Sequence, residues 1–216
     1  DGIRAVLGSR GSQMCIRDRV MQKTLQVIRK ADPEFKVSLA GNFHKELEAD
    51  IYDYCIPIGA SYPAEVLARR AQNNLPTTYY TCCTEAFPNT FTFSDPAEAA
   101  WMSYYSAKDH LDGYLRWAYN SWPKEPLLDS RFEAWAGGDT YLVYPGARSS
   151  IRFEKLIEGV QAHEKITILR KEFTDKKNKT GFKKLEKMLS TFNLRDFPEV
   201  PAAETVNKAN KILNSL

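Results

Sequence analysis

The chain has 216 residues, with 30 basic against 27 acidic side chains for a net charge of +3, so neither composition nor charge points to a nucleic-acid partner. Hydrophobic residues at 43% and charged residues at 26% lie near the globular average, which excludes wholesale disorder. No apolar run approaches the length of a membrane span, and no signal peptide opens the chain.

The opening segment, Asp1 to Arg19, carries Gly2, Gly8 and Gly11 and no period of 2 or 3.6, and it reads as unstructured. Gly11 to Arg19 resembles translated sequencing-adapter read-through, so residues 1–19 are expected to be a non-native leader and are set aside from fold reasoning. From Val20 to Arg29 apolar residues recur as in a helix that ends near Asp32-Pro33. A short strand over Lys36 to Ala40 follows, and Ile51 to Ile58, β-branched and aromatic, forms a second that stops at Gly59. Pro63 opens an amphipathic helix with Val66, Leu67 and Ala71 on its apolar face and Arg69, Arg70 and Gln72 on the other.

Thr77 to Cys83 is a third strand and leads into a loop, Thr84 to Ser94. A helix restarts at Asp95-Pro96, with Ser94 or Asp95 as cap, and runs to Lys108. Gly113 to Tyr119 is the fourth strand, and an excursion with a short extended piece at Thr140 to Tyr144 reaches Arg148. A long helix capped by Ser149 or Ser150 places Ile151, Leu156, Ile157, Val160 and Ile166 on its apolar side and reaches about Arg170. Two further helices, around Phe182 to Phe192 and over Thr205 to Leu213, read as an extension packed on the outside.

Strand and helix thus alternate four times, the pattern of a parallel sheet with crossover helices in either an open sheet or part of a barrel. None of the four strands is followed by a Gly-rich phosphate loop, which favours the barrel. A complete (β/α)8 barrel needs about 250 residues, so a barrel reading implies a fragment. In such folds the site is built where strands pass into loops, here Tyr79-Tyr80 with the Thr84 to Asn89 loop, Trp117 to Trp122, and Gly138 to Gly146. The many rings outside helical periodicity suit sugar, because the C–H face of a pyranose packs flat on a ring while its hydroxyls need polar partners.

Cys15, Cys55, Cys82 and Cys83 match no metal spacing, and adjacent Cys82 and Cys83 point to opposite faces of a strand and should not pair. His44, His110 and His163 lie on separate elements without a shared carboxylate, so they read as surface or packing residues, and no metal or cofactor is expected.

The segments Gly113 to Trp122 (GYLRWAYNSW), Gly138 to Gly146 (GDTYLVYPG) and Ser150 to Gly159 (SIRFEKLIEG) together resemble the C-terminal part of the catalytic domain of glycoside hydrolase family 123, a segment also catalogued as domain of unknown function 4091. The resemblance covers roughly residues 20–170, with one departure, Ala162-His163-Glu164, where the family tends to read Asp-Tyr-Glu. It implies the C-terminal half of a (β/α)8 barrel, strands five to eight, over residues 20–172, followed by the helical extension over 173–216. It also implies a retaining hydrolase of terminal β-linked N-acetylgalactosamine in which the substrate's acetamido group is the nucleophile. The Asp-Glu acid/base pair would lie upstream of Val20, leaving the isolated fragment inactive. The glycan is the expected partner, and the resemblance suggests a periplasmic or extracellular parent. Tyr80 would donate its hydroxyl to the acetamido carbonyl, Trp117 and Trp122 would wall the sugar, and Asn120 would bond its hydroxyls; Asn89, Asp139 and Tyr144 are further substrate-binding candidates. A non-catalytic carbohydrate-binding or scaffold barrel is the competing expectation.

Overall fold

The computed structural model describes residues 10–133, 135–196 and 199–216, and the chain divides into two compact units at Thr77/Thr78. Helix α1 spans Arg10–Ala31, so the unstructured reading of the leader is overturned from Arg10 onward; residues 1–9 lie outside the described residues. Gln13, Met14, Ile16 and Arg17 are adequate helix formers, and a helix can extend on propensity where an apolar period is missing. Arg29 and Lys30 in the last turn complement the carbonyl end, and Arg29 also donates to Asp50 O at 2.8 Å.

In the first unit β1 (Ser38–Ala40) pairs in parallel with β2 (Asp53–Pro57), in the register Ser38 to Asp53 and Ala40 to Cys55. Tyr54, Cys55 and Ile56 are all buried, as in a strand covered on both faces. Helix α2 (Ala64–Gln72) starts after Pro63 as expected and buries Val66, but Ala71 is exposed and Arg70 is wholly buried, which corrects the expected faces. The Arg70 guanidinium donates to Ile51 O (3.0 Å), Tyr52 O (2.8 Å), Pro76 O (2.8 Å), Thr77 Oγ1 (3.1 Å) and Glu48 Oε1 (3.2 Å). A hydropathy wheel sends an arginine to water; here carbonyls converging at the strand ends supply what a planar five-donor group requires.

The second unit holds most of β3 (Thr77–Tyr80), which pairs in parallel with β4 (Gly113–Leu115) in the register Thr78 to Gly113 and Tyr80 to Leu115. Helix α3 (Ala97–Lys108) is buried from Ala97 to Ala107 and serves as the unit's central element. Of the two expected caps it uses Asp95, whose Oδ1 accepts from Ala97 N at 2.9 Å while Glu98 Oε1 accepts from Asp95 N at 3.1 Å, a reciprocal capping box. Tyr79 reaches α3 and donates to Met102 O at 2.6 Å, so strand alternation puts Tyr80 on the opposite face.

Helix α4 (Ile151–Asp175) is capped by Ser150, whose hydroxyl accepts from Phe153 N at 3.2 Å. Its buried face is Arg152, Gly159, Ala162, Ile166, Leu169 and Phe173, whereas Ile151, Ile157 and Val160 are exposed, so only Ile166 of the expected seam is in the core. Close approach to α3 explains the rotation: a Cβ on Gly159 would lie 2.8 Å from Ala100 Cα, so the seam admits only small side chains. Helices α5 (Lys179–Leu189) and α6 (Ala202–Leu213) are present where the sequence places them and cover α3. Phe192 stacks on Tyr104 at 4.5 Å and meets Trp101 at 5.6 Å, while the Arg170 to Glu186 ion pair (2.7 Å) clips α4 to α5. The boundary expected at 172/173 falls inside α4, which continues unbroken to Asp175.

Candidate functional site

All seven candidate residues lie in the second unit, Tyr80 at the end of β3 and the other six past the ends of β3 and β4. Tyr80 is half-buried at the last position of β3. The loop that follows is organised by Asn89, which is fully buried. Its amide donates to Cys82 O and Glu85 O, both at 2.8 Å, its Oδ1 accepts from Thr90 N (2.8 Å) and Arg116 Nη1 (3.1 Å), and its backbone N–H donates to Glu98 Oε2 (2.7 Å). Its polar atoms are therefore spent on the loop, and the expected sugar contact gives way to an architectural role. Glu98 is equally enclosed, and burial pushes its carboxyl up to about 7 despite the two backbone N–H groups that favour its charged form.

Beside this loop lies a buried ion pair. Arg116 Nη2 meets Asp139 Oδ1 at 2.7 Å, with side chains 5% and 0% exposed, and the Trp117 indole N–H donates to the same Oδ1 at 3.4 Å. Asp139 is thus shut away from solvent, which directs it to orienting Trp117 rather than touching a sugar. Arg152 joins from α4, donating to Thr90 O and to Gly138 O at 2.8 Å, and burial lowers its pKa. Gly138 has φ +76°, and a Cβ there would lie 2.5 Å from Arg152 Nη1, so this turn requires glycine. Trp117 itself remains 46% exposed and contacts Trp135, 40% exposed, with ring centroids 5.1 Å apart.

Asn120, Trp122 and Tyr144 line a separate pocket of about 360 Å3 together with Tyr119, Phe153 and Glu154. Trp122 is held by its indole N–H donating to Val143 O at 2.7 Å, and Asn120 forms a β-bridge with Tyr141. The candidates accordingly fall into two groups: Trp117 over the Arg116–Asp139 pair, and Asn120, Trp122 and Tyr144 around the pocket. Sequence reasoning missed Arg116, Trp135, Arg152 and Glu98. Trp135 just ahead of the two glycines was a usable signal, since paired glycines mark a turn and connecting segments run over the surface; for Arg116 and Arg152 no local signal distinguishes burial from solvation.

Among the described residues no group of His, Cys, Asp and Glu could hold a metal ion, and no helix is long and apolar enough to cross a membrane. Cys55 is buried, Cys82 and Cys83 are free thiols, and His163 Nε2 packs 3.1 Å from Leu111 O.

The sequence matches the family model of the glycoside hydrolase 123 catalytic domain over residues 12–169, well over half of its length. Comparison with solved structures finds a family 123 glycoside hydrolase from Clostridium perfringens, described in connection with glycolipid glycan hydrolysis, at a TM-score of 0.66 and 28% identity. The match covers 84% of this chain and 35% of the other, so the chain spans about a third of that enzyme's length. A comparison with curated proteins returned no match. The motifs at Gly113 to Trp122, Gly138 to Gly146 and Ser150 to Gly159 all fall within the matched range, and the chain belongs to glycoside hydrolase family 123.

Proposed function

We propose that this segment is the substrate-binding half of a retaining hydrolase that removes terminal β-linked N-acetylgalactosamine, built as strands five to eight of a (β/α)8 barrel. The acid/base pair, an adjacent Asp and Glu, is assigned to the part of the protein ahead of Val20. In this reading the Glu protonates the leaving oxygen while the substrate's acetamido oxygen attacks the anomeric carbon, giving an oxazoline that water then opens with net retention. Tyr80, at the C-terminal end of its strand and on the face opposite Tyr79, donates its hydroxyl to the acetamido carbonyl as charge develops there. Trp117 supplies the apolar floor for the sugar ring, and Asn120, Trp122 and Tyr144, around the separate pocket, supply further polar and aromatic contacts to the glycan.

The family match carries this reading, and the exposed Trp117 indole, anchored from below by a fully buried aspartate, supports it. The test is hydrolysis of an aryl N-acetyl-β-galactosaminide by the longer protein carrying this segment, with the anomer of the product followed by NMR. Turnover with retention is expected, and Trp117→Ala should reduce kcat/KM about tenfold or more. Turnover by the 216-residue chain alone would refute the placement of the acid, and an inactive longer protein would refute the activity.

A further inference from the structure

Resting on the glycosidase reading, we propose that Trp135 and Trp117 form a two-ring platform that takes a second pyranose, adjoining the one held at Trp117. The rings touch at 5.1 Å with planes inclined by 36°, so they present neighbouring faces and not one shared surface. Trp117 is fixed through Asp139, and Trp135 lies in a turn closed by its own N–H to Phe132 O (3.0 Å) and by Gly138 N to Ser130 O (2.8 Å). The same turn is tied to the loop after β3 by Thr92 N to Gly137 O at 2.8 Å.

A single exposed ring needs no explanation, but two in contact at the end of a strand do. At the observed exposures the pair offers about 200 Å2 of indole surface, far below the roughly 800 Å2 per partner of a stable protein interface. That area suits one ligand ring per indole. The segment leading to Trp135 is polar: Ser130, whose hydroxyl meets that of Thr92 at 3.2 Å, and the exposed Asp129–Arg131 pair (2.8 Å) offer both donors and acceptors. Apolar faces on a segment rich in hydrogen-bonding groups match a pyranose better than an apolar peptide or an acyl chain.

The test is a titration of the chain, followed by calorimetry, with N-acetylgalactosamine and with a β-linked disaccharide ending in that sugar. The wild type should bind the disaccharide about tenfold more tightly than the monosaccharide. Trp135→Ala should erase that preference while leaving the monosaccharide affinity unchanged, Trp135→Phe should keep most of it, and Trp117→Ala should weaken both ligands. A preference that survives Trp135→Ala, or an equal loss for both sugars, overturns the proposal, as does a wild type that binds no sugar at all. A Trp135-dependent preference for disaccharides lacking N-acetylgalactosamine, with no binding of those that contain it, would uphold the platform and refute the substrate assigned above.

Discussion

Replacing Gly159 by alanine sets two effects of known sign against each other. In a helix interior the substitution ordinarily stabilises by about 1 kcal/mol, because glycine loses more backbone freedom on folding. At this position the new Cβ would lie 2.6 Å from Ser103 Oγ and 2.8 Å from Ala100 Cα. The serine hydroxyl can rotate away, but the Ala100 Cα is backbone of α3, and that helix is also held by Phe192 through Trp101 and Tyr104. Separating two packed helices by several tenths of an ångström costs about 1–3 kcal/mol, and backbone contact below 3 Å belongs at the upper end. Gly159→Ala should therefore destabilise by about 1–2 kcal/mol net, and Gly159→Val, with two further methyl groups, by more. Urea unfolding monitored by tryptophan fluorescence reads this as a lower midpoint at unchanged slope, with Gln161→Ala on the exposed face as a control within about 0.5 kcal/mol. A Gly159→Ala protein as stable as the wild type would refute the close α3 to α4 approach.

Glu98 makes stability pH-dependent. Burial raises its carboxyl from 4.5 to about 7, so the folded state holds the proton more tightly than the unfolded chain. The stabilisation is present below pH 4.5 and is lost as the pH rises through 7, amounting to roughly 2–3 kcal/mol between pH 5 and 8. Glu98→Gln should flatten that slope in urea titrations at the two pH values, and an unchanged slope would exclude Glu98 as its source. Arg70→Lys should cost about 3–5 kcal/mol although the charge is kept, since an ammonium cannot serve the three carbonyls, the hydroxyl and Glu48 together; thermal unfolding measures it. Asp139→Asn should destabilise by about 3 kcal/mol by leaving the Arg116 guanidinium buried without a counter-charge, and should shift the Trp117 emission. If Asp139→Asn and Arg116→Met proved additive in a double-mutant cycle, the pair would not be coupled.

Much of the fold can be read along the chain because its signals are local. The order of strands and helices follows from β-branched runs alternating with amphipathic stretches, and Asp95, Ser150, Pro63 and the final two helices are where capping and period place them. Trp117 at a strand end is legible for the same reason: register needs only the strand that carries it. Burial of polar groups is a different matter, because it is settled by how many partners converge from distant segments. Arg70 is interior since carbonyls of Ile51, Tyr52 and Pro76 meet at one point, and Asp139 is interior since Arg116 and Trp117 reach it from just past β4. The face of α4 likewise turned on distance: hydropathy favours Ile157 and Val160, but the nearness of α3 admits Gly159 and Ala162. Local chemistry along the chain specifies which elements form, whereas the spacing and convergence of those elements in three dimensions select which side chains they enclose.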